Sequence, residues 1–265
     1  MPALNWATHH RLWTLGSGAA ILIVAVIGGL WFFTARSPGT QIDIRQALLQ
    51  YRQNQQVERA TGSTLLPPSG VYRYRTSGSE HLDVGGISRG FPDTTEMIVT
   101  DARCATLVWE PLEQHKEEMV ECPLQGGILS MTSALTYEEI AGIQTTNLIQ
   151  CPSDAYLVPP PSVGEGWHAT CHAKGQKIAL SGQVLGASSV DVGGRAEPAL
   201  HTRLTLVFSG SETGTNPADY WVSLQNGLIL REQETVDVSQ EAGPLGSVRY
   251  TEQMAITLSS VTPIR

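Results

Sequence analysis

From Gly70 onward, apolar residues recur at every second position, and clusters of Gly, Pro, Asn and Ser interrupt them. A chain patterned in this way buries one face of each strand and wets the other. The run SVRYTEQMAITLSSV shows the pattern most plainly. Val248, Tyr250, Met254, Ile256 and Leu258 are apolar with Glu252 the one exception, while Arg249, Thr251, Gln253, Thr257 and Ser259 are polar. RLTLVF repeats the alternation through Leu204, Leu206 and Phe208, and DYWVSLQNGLILREQETV sets Asn226-Gly227, a strong hairpin signal, between two strand-like runs. ALTYEEIAG reads instead as one or two turns of helix. The expected fold is mainly β: one N-terminal transmembrane helix, then a curved antiparallel sheet or half-open barrel.

The helix is expected between Arg11 and Arg36, where LWTLGSGAAILIVAVIGGLWFFTA carries no charge and exceeds the roughly 20 apolar residues that cross a bilayer core. Trp13 near one end and Trp31, Phe32 and Phe33 at the other suit the two interfaces. A cleaved signal peptide is the alternative; it has a shorter core and small residues before the cut, whereas cleavage after Ala35 would put Phe33 three residues before it. The sequence therefore divides into a short cytoplasmic tail (1–12), a transmembrane helix (13–35), a juxtamembrane helix or stalk with a linker (36–69) and an extracytoplasmic β domain (70–265). Within the third segment Ile44, Leu48, Tyr51 and Gln55 have helical spacing, the Gln-rich second half reads equally as a solvated stalk, and Pro67-Pro68 stiffens the way into the domain.

Basic residues do not orient the span, since Arg11 on one side faces Arg36 and Arg45 on the other. The cysteines do. Cys104, Cys122, Cys151 and Cys171 all follow the span, an even number that suits two disulfides in an oxidising compartment and puts the N-terminus in the cytoplasm. Cys104 and Cys122 bracket a strand–turn–strand pattern, and Cys151 and Cys171 flank YLVPPPSVGEG, so sequential pairing is the expectation among the three possible connectivities. Each bridge restricts the unfolded chain by about 3 kcal/mol on the loop-entropy estimate.

Two stretches carry a resemblance. GVYRYRTSGSEHLDVGGISRGFPDTTEMIVTDARC, with LVWEPL and MVEC, resembles a group of uncharacterised membrane-anchored exported proteins of high-GC Gram-positive bacteria. SVDVGGRAEPALHTRLTLVFSGSETGTNPADYWVSLQNGLILREQETV is similar in layout to bacterial envelope β-proteins of unknown function that resemble lipocalin-like or half-open barrels. Both imply location and fold, and neither supplies a reactive residue.

All 25 Asp and Glu follow residue 36 but only 15 of the 17 Lys and Arg do, since Arg11 and Arg36 fall in the first 36 residues, which leaves a net of minus 10. That acidic balance, without a basic stripe, excludes nucleic acid as the expected partner. Gly86-Ile87-Ser88-Arg89-Gly90 fits G-x-S-x-G, but the nucleophile of such an elbow needs a following helix and FPDTTEMIVTD reads as turn and strand, so Ser88 is expected in a loop. His168, Cys171 and His172 have metal-ligand spacing, yet a thiolate ligand needs reduced Cys171, and a bridge to Cys151 is the simpler account. Glu110, Glu113, Glu117, Glu118 and Glu121, with His115 and Lys116 among them, read as a solvated hairpin tip. Trp109, Trp167, Trp221, Tyr72, Tyr74 and Tyr220 either fill the core or line a ligand face. No cofactor, metal or enzymatic chemistry is expected. The functional expectation is a tethered, non-catalytic module that binds a protein or envelope component, anchored in the membrane through residues 13–35; the alternative is a lipid- or glycolipid-carrying half-barrel.

Overall fold

The computed structural model of the chain describes residues 39–54, 65–140, 143–160, 166–241 and 246–264. The expected tail (1–12), transmembrane helix (13–35) and linker residues 55–64 lie outside the described residues. Among those described, no helix is long and apolar enough to cross a membrane.

One helix of the described residues, α1 (Ile44–Asn54), precedes the strands β1 (Gly70–Leu82), β2 (Ile87–Gly90), β3 (Thr94–Asp101), β4 (Ala105–Leu112), β5 (His115–Leu124), β6 (Ile128–Ile140) and β7 (Ile143–Gln150). There follow β8 (Tyr156–Val158), β9 (Gly166–Ala173), β10 (Gln176–Val192), β11 (Arg195–Gly210), β12 (Glu212–Ser223), β13 (Ile229–Glu241) and β14 (Ser247–Leu258). All their pairings are antiparallel. They run in the order β1, β3, β4, β5, β6, β7, β9, β10, β11, β12, β13, β14 and return to β1, which makes the curved sheet ring-like. It is not a regular barrel. β7 and β9 meet at the pair Gln150 and His172 alone, and β8 pairs with β6 off the ring. The disulfides staple this arrangement: Cys104 is bonded to Cys122, and Cys151 to Cys171, the sequential pairing that their spacing points to.

The local chemistry explains the irregularities. β2 and β3 keep one register along β1, from Leu82 opposite Ile87 to Gly70 opposite Val99, and are one strand broken at Phe91-Pro92-Asp93. Pro92 has no N–H to give the ladder, so the break falls where the sequence cannot pair. In ALTYEEIAG, read above as helical turns, residues 134–140 are instead the second half of β6: they pair with β5 on one side and β7 on the other, and two flanking ladders override a weak helical pattern. After β12, Asn226 Oδ1 accepts the Leu228 N–H at 3.1 Å, and the Gly227 N–H donates to the Ser223 carbonyl at 2.8 Å, closing the expected hairpin with a loop longer than two residues.

The folded unit begins at Gly39 and not at Gly70. Asp43 caps α1, its Oδ1 accepting the N–H groups of Arg45 and Gln46 at 2.7 and 3.0 Å, while Gln46 Oε1 accepts the Asp43 N–H at 3.0 Å. This reciprocal capping box starts the helix. Ala47 then packs with Val71 and Ile98 on the outer face of β1 and β3, with Leu48 and Val108 beside them. Thr40 adds hydrogen bonds to Gln114 and Glu113. Residues 39–54 are therefore part of the β domain, not a free stalk.

The main core lies on the inner face of the ring. Tyr72, Tyr74, Leu129, Ile178, Leu230 and Leu258 are among its fully buried members.

Candidate functional site

The alternation that turns Met254, Ile256 and Leu258 inward also turns Glu252 inward, and Glu252 is not alone. Arg89 on β2, Glu80 on β1 and Glu252 on β14 occupy one row across three strands, Glu80 directly opposite both neighbours. All three are buried, Glu80 and Glu252 to 1% and 2% exposure. The Arg89 guanidinium lies 2.5 Å from Glu80 Oε1 through Nη2 and donates from Nη1 to the Glu139 carbonyl at 2.8 Å. On the other side of Glu80, Oε2 lies 3.1 Å from His115 Nδ1 and accepts from the Tyr250 hydroxyl at 2.9 Å. His115 Nε2 reaches Glu117 Oε1 at 3.1 Å. Phe91 and Trp109 meet the His115 ring edge-on, with centroids 5.4 and 5.6 Å away, and wall the cluster with apolar surface.

The Tyr250 hydroxyl also lies 2.6 Å from Glu252 Oε2. One phenol proton cannot serve two carboxylates, so one carboxyl keeps its own proton. Burial pushes Glu252 well above the usual carboxylate range. Burial also acts to raise Glu80, but its hydrogen bond to His115 and the charges of His115 and Arg89 outweigh that and leave it lowered. Burial opposes a charge on His115, yet Glu252, Glu117 and Glu80 together raise it well above its ordinary value. These directions favour charge on Glu80 and His115 and the proton on Glu252.

Further carboxyls line the same inner face. Burial raises Glu138 to about 7, and Glu234, whose Oε1 accepts from Asn216, to about 8. Glu121 is fully buried, both of its oxygens lack a hydrogen-bond partner, and burial alone raises it to about 8.

This corrects the reading of the acidic run as a solvated tip. Glu113 lies at the turn, Glu110 accepts from Gln50 of α1, and Glu118 pairs with Lys116. His115, Glu117 and Glu121 point inward because β5 pairs on both sides, with β4 and β6, and its odd positions share the face of Trp109, Leu107 and Ala105. The signal was the lone Glu252 in an otherwise apolar set of positions, and the same period of two relating His115, Glu117 and Glu121.

A second feature lies outside. Across β11 to β14 and β1 runs a groove of about 780 Å3, lined by Ser77, Arg203, Asp219, Gln233, Thr235 and Gln253 among others. Gly78, at φ 142°, lets β1 approach β14 there, since a Cβ would run into the Gln253 carbonyl oxygen. Asp219 accepts from Arg203 at 2.9 and 2.8 Å and lies 3.2 Å from His201 Nε2. The next row holds Trp221, stacked on His201 at 4.0 Å between centroids, with Arg231 4.7 Å from its ring.

The other sequence candidates are dispersed. Ser88 lies in β2 and donates to the Glu80 carbonyl at 3.3 Å. Cys171 is in its disulfide, and His168 and His172 lie on β9 as outward neighbours of the chain. Tyr72, Tyr74, Trp109, Trp167 and Tyr220 are buried in the core, whereas Trp221 belongs to the outer face. The Tyr74 hydroxyl donates to the Ile229 carbonyl and Trp109 Nε1 to Thr95 Oγ1, at 2.7 and 2.9 Å.

No protein-family model matches the chain, and no curated protein matches it. Among solved structures it is similar to the hypothetical lipoprotein YmcC from Escherichia coli (K12), at 10% identity and a TM-score of 0.33, over 85% of this chain and 100% of that one. A likeness at that level transfers nothing to the site.

Proposed function

We propose that the chain is a membrane-tethered extracytoplasmic β domain that acts by binding a protein or envelope component, without catalysis, through the outer groove of β11 to β14 and β1. The observation that carries this reading is the contrast between the two faces of the sheet. The inner face is occupied by aromatic and aliphatic side chains and by a belt of carboxyls. The outer face carries an open groove whose Arg203, Asp219, Gln233 and Gln253 side chains offer donors and acceptors of both kinds. Two disulfides support an oxidising location for the domain, and the uncharged run between Arg11 and Arg36 supports the tether. A lipid carrier needs a continuous apolar cavity, and buried Glu80, Glu121, Glu232 and Glu252 are poor company for an acyl chain.

A photo-crosslinking residue at Gln233 or Gln253, in the full-length protein in its own membrane, tests the face. Adducts are expected from these positions and not from Lys174, which is not among the residues that line the groove. Equal labelling from all three would overturn the assignment, and stoichiometric lipid in native mass spectrometry would favour the carrier. Protease added to cells stripped of their wall is expected to release the domain; protection until lysis would overturn the orientation.

A further inference from the structure

We propose that Glu80, His115 and Glu252 form a binding site for a divalent transition-metal cation inside the ring. The three residues come from β1, β5 and β14, and each offers one donor atom, all within 4.8 Å of one another. Ligands about 2.0–2.2 Å from a common ion lie about 3–4 Å apart, so small side-chain movements suffice to close the set. One imidazole nitrogen and two carboxylates suit a first-row divalent ion better than Ca2+, whose sites are built of oxygen.

Two observations point to a ligand position, which a metal ion would fill in exchange for the protons of Glu252 and His115. Glu80 and Glu252 stand directly opposite each other across an antiparallel pair, on the buried face, where like charges repel and both carry charge only if a cation lies between them. Glu252 Oε1 is buried without a hydrogen-bond partner, although its other oxygen is bonded to Tyr250. A proton shared through Tyr250 relieves the repulsion but leaves Oε1 orphaned. Arg89 does not serve it either: its Nη1 donates to the Glu139 carbonyl, its Nη2 lies beside Glu80 Oε1, and its Nε and Nη2 make no hydrogen bond.

The surroundings are those of a metal site. Glu117 on His115 Nε2 fixes the ring so that Nδ1 faces the carboxylates, and Arg89 holds Glu80 from behind. Outer partners of this kind orient the ligands and strengthen the imidazole as a donor. Phe91 and Trp109 exclude water from one side.

The test uses the full-length protein in detergent, stripped with a chelator and titrated calorimetrically with ZnCl2 and, separately, MnCl2, with metal per chain counted by elemental analysis. One equivalent is expected for at least one ion. Glu252→Gln, which keeps the side-chain shape and a hydrogen bond to Tyr250, is expected to abolish binding, and Glu117→Gln to weaken it about ten- to a hundredfold with the same stoichiometry. No uptake by the wild type, or unchanged binding by Glu252→Gln, would overturn the site. Should a variant fail to fold, cobalt(II) titration of the wild type still decides: paramagnetic shifts of the His115 ring protons support the site, and shifts confined to His168, His172 or His201 refute it.

Discussion

Cys151 is bonded to Cys171 immediately beside Gln150 and His172, the one pair at which β7 meets β9 among the described residues. The bond and the seam coincide. The other disulfide, Cys104 to Cys122, lies beside a hairpin that is already paired from Ala105–Glu121 to Leu112–His115.

The two bridges therefore differ in consequence despite similar loops, separated by 20 and 18 residues. Chain entropy assigns about 3 kcal/mol to each. Replacing Cys151 and Cys171 by Ala is expected to cost more than replacing Cys104 and Cys122, because only the first opens a seam. Urea midpoints compare them, and amide exchange at Gln150 and His172 should rise by more than exchange in β4. Equal midpoints would refute the seam.

Glu121 is expected to make stability fall with rising pH. Its folded pKa, about 8, lies above the unfolded value near 4.5, so the folded state binds more protons in between. The group is protonated in both states below that window, and the cost of its burial develops as pH rises, by about 1.4 kcal/mol per unit at most. Glu121→Met should stabilise the protein, and the gain over wild type should grow between about pH 5 and about pH 8. Denaturant melts at both values measure it; a gain independent of pH would mean that Glu121 is not the buried acid described.

Gly182 lies opposite Trp167, and a Cβ there would run into the indole ring. Gly182→Val is expected to cost about 1–3 kcal/mol by overpacking. Trp167→Phe in the same chain should recover part of the loss, which thermal melts of the single and double variants read directly. Additive losses would show that the two side chains do not compete for space.

Docking of α1 gives the fourth prediction. Asp43→Ala removes the cap and is expected to cost about 1 kcal/mol. Ala47→Glu, which forces a charge against Val71 and Ile98, should cost more. Neither substitution would change the melting of the β domain if residues 39–54 were an independent stalk.

The strand pattern was legible wherever the buried face is apolar, as in β11, β13 and β14, and the hairpin at Asn226-Gly227 and both cysteine pairs followed from it. It failed in two places for related reasons. ALTYEEIAG lacks a strong pattern of its own and became β6 through its neighbours. HKEEMVE carries charged residues on both faces, so the period of two that relates His115, Glu117 and Glu121 does not by itself tell a solvated tip from a strand with carboxyls turned inward.

What the sequence determined by itself is local: the period of two, the turns, the bridged cysteines and the acidic balance all depend on residues near in the chain. Only the tertiary structure decided that Glu80, His115 and Glu252 meet, because they are separated by 35 and 137 positions and converge only when β14 closes onto β1. The same closure made the charged row. A carboxylate is solvated or buried according to what packs over it, and for these residues the covering strands come from the far ends of the domain.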